Sequence, residues 1–108
     1  MDNLKNDKYY IDLARKDIEK IIQYTKGISY EDFINDEQLI DAVMFRLVQM
    51  IENIKKITNE FKNKHKDIEW NEIIGFRNRI VHDYGKTDYT VVYEIISDDI
   101  QKLQDIFK

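Results

Sequence analysis

The sequence contains no cysteine and no proline, and only three glycines among its 108 residues. Without cysteine, the chain can form neither a disulfide nor a thiolate metal site, and nothing indicates an oxidising compartment. Without proline and with so little glycine, it lacks most of the residues that end strands and shape hairpins or long loops. The composition therefore predicts an all-α fold.

Long hydrophobic runs are also absent. The N-terminal segment is charged throughout, and no later run approaches the roughly 18 apolar residues that span a bilayer. We therefore expect a cytoplasmic protein with no membrane association. Because 43% of the residues are hydrophobic and 35% are charged, the chain suits one hydrophobic core, and residues 1–108 are predicted to form a single domain.

The charge balance limits what the protein binds. A formal net charge of -4 argues against a broad basic surface for nucleic acid, so any RNA contact must be local. A nonspecific RNA degrader would profit from such a surface, so a structured or narrow target such as tRNA is expected. Five lysines cluster between positions 55 and 66. We interpret this basic cluster as a solvated helix face.

Apolar residues recur at helical spacing in four long segments. The first helix ends near Gly27, and Ser29 caps a short helical piece. A long helix is expected to begin near Asn35 or Asp36 and to run to about residue 63. Another helix is capped by Asp67 and stops at residue 85, and Asp88 caps the last one. Four principal helices and one short extra helix predict an up-and-down four-helix bundle.

The segment RNRIVHDY, residues 77–84, carries many polar groups for a helix that also buries an apolar stripe. At about 100° per residue, an ideal helix points Arg77 and His82 about 140° apart. Either long side chains reach around one edge of the helix into a common cleft, or a second copy of the protein completes the site. Gly75 either lets a backbone or phosphate come close or marks a helix crossing in the core.

Arginine and histidine together suit the cleavage of an RNA phosphodiester. A neutral imidazole can take a proton from a 2'-hydroxyl or return one to the leaving oxygen. A guanidinium can hold two phosphate oxygens and stabilise the charge that builds up on them. With two histidines and no cysteine, the pattern predicts no metal site and no cofactor.

The segment from Arg77 to Tyr84 resembles the R-x4-H-x-Y signature of HepT-like toxins, the minimal HEPN proteins. The resemblance extends over nearly the whole chain and implies a helical-bundle homodimer that acts as a metal-independent ribonuclease toxin. Arg77 and His82 match the catalytic pair, and Asn78 matches the polar residue beside the arginine. Tyr84 matches the tyrosine that an MntA-like nucleotidyltransferase antitoxin modifies with AMP.

Three further cations are candidates for contacts to RNA phosphates: Arg79, Lys86 and Arg46. Arg46 stands among apolar residues in AVMFRLVQM and needs a partner. It either supports the cleft or extends its charged end to water. An alternative function is a noncatalytic HEPN module that docks a nucleotidyltransferase or binds a nucleotide or RNA fragment. A purely structural dimerisation bundle is a third.

Overall fold

The computed structural model describes residues 6–82 and 88–108, with the backbone alone at positions 81 and 82. Within these ranges every regular element is helical and no strand occurs. The all-α prediction is therefore confirmed. No helix in this part of the chain is long and apolar enough to cross a membrane.

Four long helical rods and two short helices make up the described residues. The last rod runs without a break from α6 through a π-helical segment into α7. The prediction of four principal helices is confirmed, but two short helices accompany them instead of one. The elements are α1 Asp7–Thr25, α2 Tyr30–Ile34, α3 Glu37–Lys55, α4 Asn59–Asn63, α5 Trp70–His82, α6 Tyr89–Glu94, the π segment Ile95–Asp99 and α7 Ile100–Ile106.

Polar side chains at the helix starts explain several of these boundaries. The Ser29 hydroxyl accepts a hydrogen bond from a backbone N–H of α2, and the Asp36 and Asp88 carboxylates do the same for α3 and α6. Each contact satisfies one of the N–H groups that a helix start leaves without a partner. Gly27 follows α1 with a φ of 73°, a conformation that glycine adopts without steric cost. These local predictions are confirmed.

The long predicted helix is interrupted. It was expected to run to residue 63, but α3 ends at Lys55 and α4 begins at Asn59. Thr58 caps α4, and its own backbone N–H and hydroxyl both donate to the Asp7 carboxylate, at 2.9 and 2.7 Å. A contact with a residue 51 positions away therefore stabilises the break, and the helical period could not reveal it.

The predicted start of the next helix is also wrong. Asp67 does not cap α5, which begins at Trp70. The Trp70 indole nitrogen donates to the carbonyl oxygens of Lys62 and His65, at 3.1 and 3.0 Å, so the connection folds around this ring. Lys62 is buried, which corrects the interpretation of the basic cluster as wholly solvated, and burial lowers its pKa. The predicted stop at position 85 lies outside the described residues.

The core lies where α1, α3, α5 and α7 meet. Helix α3 is central because it packs against both α1 and α5, while α7 packs against α1. Each large apolar side chain that is fully buried there stabilises the fold by about 1.5 to 3 kcal/mol. The fully buried side chains include Ile18, Ile21, Phe33, Met44, Leu47, Met50, Ile51, Ile54, Ile73, Ile100, Leu103 and Phe107.

Candidate active site

An ion pair between two long helices holds Arg77. The Nε atom of Arg77, on α5, lies 2.8 Å from Oε2 of Glu52, on α3. Both atoms are shielded from solvent, although 30% of the Arg77 side chain and 38% of the Glu52 side chain are exposed. Within the described residues neither atom has a hydrogen bond of good geometry. The contact is therefore a close ion pair in which the Nε–H bond of Arg77 does not point at the Glu52 oxygen.

Two neighbours complete the surroundings of this pair. Nη1 of Arg77 donates to Oδ1 of the exposed Asn78, at 3.3 Å. The Nζ atom of Lys55 lies 3.7 Å from the same Glu52 oxygen that faces Arg77. Two cations thus share one carboxylate, and this group of four side chains keeps one net positive charge. A local positive charge beside a partly exposed guanidinium is suited to a phosphate.

The backbone register of α5 defines a second, open line beside Arg77. Positions 75, 78 and 82 follow one another at intervals of three and four, so they lie on one side of the helix. Gly75 and Asn78 are exposed, and a Cβ added at Gly75 would meet no described atom of the chain within 4 Å. Gly75 is therefore not a helix crossing within the core, which corrects that alternative. Among the described side chains of this line, Gly75 and Asn78 are accessible.

Arg79 lies on a different side of α5 from Arg77, two residues away. Its guanidinium carbon is 5.5 Å from the centre of the Phe76 ring. It also lines a small pocket with Glu72, Glu94 and Asp99. Burial raises the pKa of Asp99, and the neighbouring acidic groups add to the rise. Arg79 is exposed, but its nearest charged surroundings are acidic, and contact with RNA phosphate stays a prediction.

Arg46 has the partner that its apolar surroundings require. Its Nη1 donates to Oδ1 of the buried Asp17, on α1, at 3.1 Å. Burial raises the pKa of Asp17, and the hydrogen bond from Arg46 partly offsets that rise. The pair connects α1 to α3, so Arg46 supports the packing of two helices. A direct contact between Arg46 and RNA is untested.

Several predicted site residues fall where no side chain is described. His82 is the last residue of α5, and its backbone is helical. Tyr84 and Lys86 lie outside the described residues. Among the residues that are described, no three His, Asp or Glu side chains are grouped to hold a metal ion. The structure therefore brings Arg77 and Asn78 together, and the roles of His82, Tyr84 and Lys86 stay predictions.

Glu52 is the site residue that the sequence did not reveal. It lies 25 positions before Arg77 and belongs to a different helix. The helical period places it beside the buried face of α3, where a glutamate carries no distinguishing signal. Only the packing of α3 against α5 brings its carboxylate to the guanidinium. With it, the arrangement can present a cationic fork to a phosphate oxygen pair.

Comparisons with known proteins identify the family of the chain. A family model described as "Ribonuclease HepT-like" matches residues 14–108, which include α3 and α5. A protein of Caldanaerobacter subterraneus subsp. tengcongensis named "Putative RNase" is 33% identical over 101 residues, covering 94% of this chain and 90% of that protein. A "Probable ribonuclease HepT" of Thermococcus cleftensis is 32% identical over 104 residues, covering 96% of this chain and 94% of its own length. No solved structure matches the chain significantly.

Proposed function

The chain belongs to the HepT-like ribonuclease family, and on this premise we propose that it is a metal-independent endoribonuclease toxin of a HEPN and nucleotidyltransferase pair. It acts in the cytoplasm on RNA, with tRNA as the expected target. The observation that carries the proposal is the ion pair that holds Arg77 on α5, the helix that also carries His82. Arg77 and His82 are the proposed catalytic pair, and Asn78 supports the arginine.

The proposed chemistry needs one proton acceptor and one anion-binding group. The His82 imidazole takes the proton of a ribose 2'-hydroxyl, and the 2'-oxygen attacks the adjacent phosphorus. The Arg77 guanidinium binds the phosphate oxygens and stabilises the added negative charge while phosphorus is five-coordinate. The bond to the 5'-oxygen then breaks, and that oxygen receives a proton. The products are a 2',3'-cyclic phosphate and a 5'-hydroxyl.

A homodimer is the proposed active form. Arg77 and His82 diverge by about 140° on an ideal helix, so a second copy that covers α5 would complete the cleft. Phe45 supports this, because 58% of this large apolar side chain is exposed. It lies seven residues before Glu52 on α3, on the same side of the helix and about 10 Å away. An exposed aromatic residue beside the site is suited to a subunit interface.

The proposed antitoxin is an MntA-like nucleotidyltransferase, and Tyr84 is its proposed acceptor. The phenolic oxygen of Tyr84 attacks the α-phosphorus of ATP and releases pyrophosphate and a proton, which leaves AMP on the tyrosine. Tyr84 lies two residues beyond His82 in the chain. A bulky anion at this position would repel an RNA phosphate and occupy its space.

Cleavage of total RNA and tRNA in excess EDTA tests the activity. Protein shown by intact mass to be unmodified should cleave, while Arg77→Ala and His82→Ala should not. His65→Ala is the matched histidine control, because His65 lies against the Phe61 ring, 4.8 Å between ring centres, and has no proposed role. Arg15→Ala is the arginine control. Intact RNA after incubation with unmodified wild-type protein would contradict the proposal.

Two further measurements test the assembly and the modification. Phe45→Glu should convert a dimer into a monomer in light scattering and lower cleavage in parallel, while Phe45→Leu should retain both. With the nucleotidyltransferase and ATP, the mass should rise by AMP units and Tyr84→Phe should prevent the gain. A mass gain in a protein that never cleaves RNA would favour the noncatalytic binding module instead.

A further inference from the structure

Glu52 lies outside the R-x4-H-x-Y motif, yet it contacts the motif's arginine. We propose that Glu52 is a positioning residue that holds the Nε edge of Arg77, so that the opposite edge of the guanidinium faces the RNA phosphate. This inference rests on the proposed ribonuclease function. It concerns how the arginine is held, and Glu52 itself touches no reacting atom.

The geometry shows which part of the guanidinium is engaged. Glu52 faces Nε at 2.8 Å, and Asn78 accepts from Nη1 at 3.3 Å. A guanidinium has five N–H donors and two two-pronged edges, one made by Nε and Nη2 and the other by Nη1 and Nη2. Neither Glu52 nor Asn78 bridges the Nη1–Nη2 edge. Nη1 has a second hydrogen and Nη2 has two, so Arg77 keeps donors for two phosphate oxygens beside both contacts.

This placement distinguishes a positioning residue from an inhibitory one. A carboxylate that blocked the arginine would occupy the two-pronged edge that a phosphate needs. Glu52 instead faces Nε, whose nitrogen is shielded from solvent, and so leaves the Nη1–Nη2 edge for phosphate. The contact also joins α3 to α5. The packing of these two helices therefore helps to set the orientation of the flexible Arg77 side chain. We therefore expect that the loss of Glu52 lowers the rate.

The charge of Glu52 gives a way to separate rate from binding. Lys55 and Arg77 share this carboxylate, so Glu52→Gln makes the site more positive by one charge. Electrostatics alone would then strengthen RNA binding. Loss of positioning would instead slow the chemical step, because misplacement of a catalytic group by about 1 Å can reduce the rate about 100-fold. The added positive charge would therefore lower KM, whereas the loss of positioning would lower kcat.

Steady-state cleavage of tRNA by the full-length protein tests this separation. Glu52→Gln should lower kcat about tenfold or more with KM unchanged or reduced, and Glu52→Asp should recover part of the rate. Asp105→Asn is the charge-matched control, because it removes one negative charge from an exposed ion pair with Lys108. Equal thermal unfolding midpoints exclude a folding defect. A kcat within twofold of the Asp105→Asn value, or above wild type, would overturn the inference.

An NMR measurement gives a readout that does not depend on cleavage. The chain has four arginines, so the Nε–H signals are few, and Arg77→Lys identifies the signal of Arg77. That signal should exchange slowly with water and should shift in Glu52→Gln but not in Asp105→Asn. If the wild-type protein fails to cleave RNA, the ribonuclease proposal fails. The NMR signal still shows whether Glu52 contacts Arg77. An Arg77 signal unchanged by Glu52→Gln would refute the positioning role.

Discussion

Replacing Arg46 by alanine leaves the Asp17 carboxylate buried without its cation. The two atoms are 3.1 Å apart, so their gross attraction is about 5 kcal/mol at an effective dielectric constant of about 20. Desolvation of both groups offsets much of this attraction. Removing one partner of a fully buried pair costs about 3 to 5 kcal/mol. Because 30% of the Arg46 side chain is exposed, we expect Arg46→Ala to cost about 2 to 3 kcal/mol at pH 7.

The reverse replacement should cost less. Asp17→Asn leaves Arg46 charged, but the partly exposed guanidinium can turn towards water. The amide also keeps an oxygen that can accept the Arg46 hydrogen bond. We therefore expect a loss of about 1 kcal/mol. Lys8→Ala, which removes a mostly exposed partner of Asp12, is the control and should change stability little.

The pH dependence follows from the raised pKa of Asp17. A carboxyl whose pKa is higher in the folded state binds its proton more tightly there, so its contribution to stability falls as pH rises through that pKa. Arg46→Ala removes the contacts that lower this pKa and so increases the penalty at neutral pH. The deficit should shrink as pH falls from about 7 to about 4, where the carboxyl takes up its proton.

Urea denaturation followed by circular dichroism at several pH values measures these differences. The free energy of unfolding of Arg46→Ala should lie below that of Asp17→Asn at pH 7, and the gap should narrow on acidification. If Arg46→Ala lowers the free energy of unfolding by the same amount at about pH 7 and about pH 4, that result would refute the argument. A larger loss for Asp17→Asn than for Arg46→Ala would also refute it.

Three further predictions concern the fold. Gly27→Ala should destabilise the protein by about 1 kcal/mol because its φ is 73°, whereas Gly75→Ala should stabilise α5 by about 1 kcal/mol; thermal unfolding measures both, and equal signs would contradict the reasoning. Trp70→Phe should cost about 1 kcal/mol in urea denaturation, because the carbonyl oxygens of Lys62 and His65 each lose one of two donors and keep a backbone N–H, and an unchanged midpoint would oppose this. Asp7→Ala should cost about 1 kcal/mol and speed amide exchange at Thr58, and unchanged exchange there would count against the proposed role of the contact.

Local features of the fold were predictable because their causes lie within one helical turn. Ser29, Asp36 and Asp88 cap helices by contacts to residues two or three positions away. The interruption before Thr58 was not predictable, because it involves Asp7, 51 residues earlier. The start of α5 at Trp70 likewise depends on an indole that reaches back to the preceding connection.

The sequence by itself determined the helical class, the helix starts at Ser29, Asp36 and Asp88, and the presence of an arginine and a histidine five positions apart on α5. Tertiary structure alone decided which acid accompanies two of the arginines: Glu52 faces Arg77, and Asp17 faces Arg46. The physical reason is that helical periodicity specifies which residues share a face of one helix. The neighbours of that face depend on how the helices pack against one another.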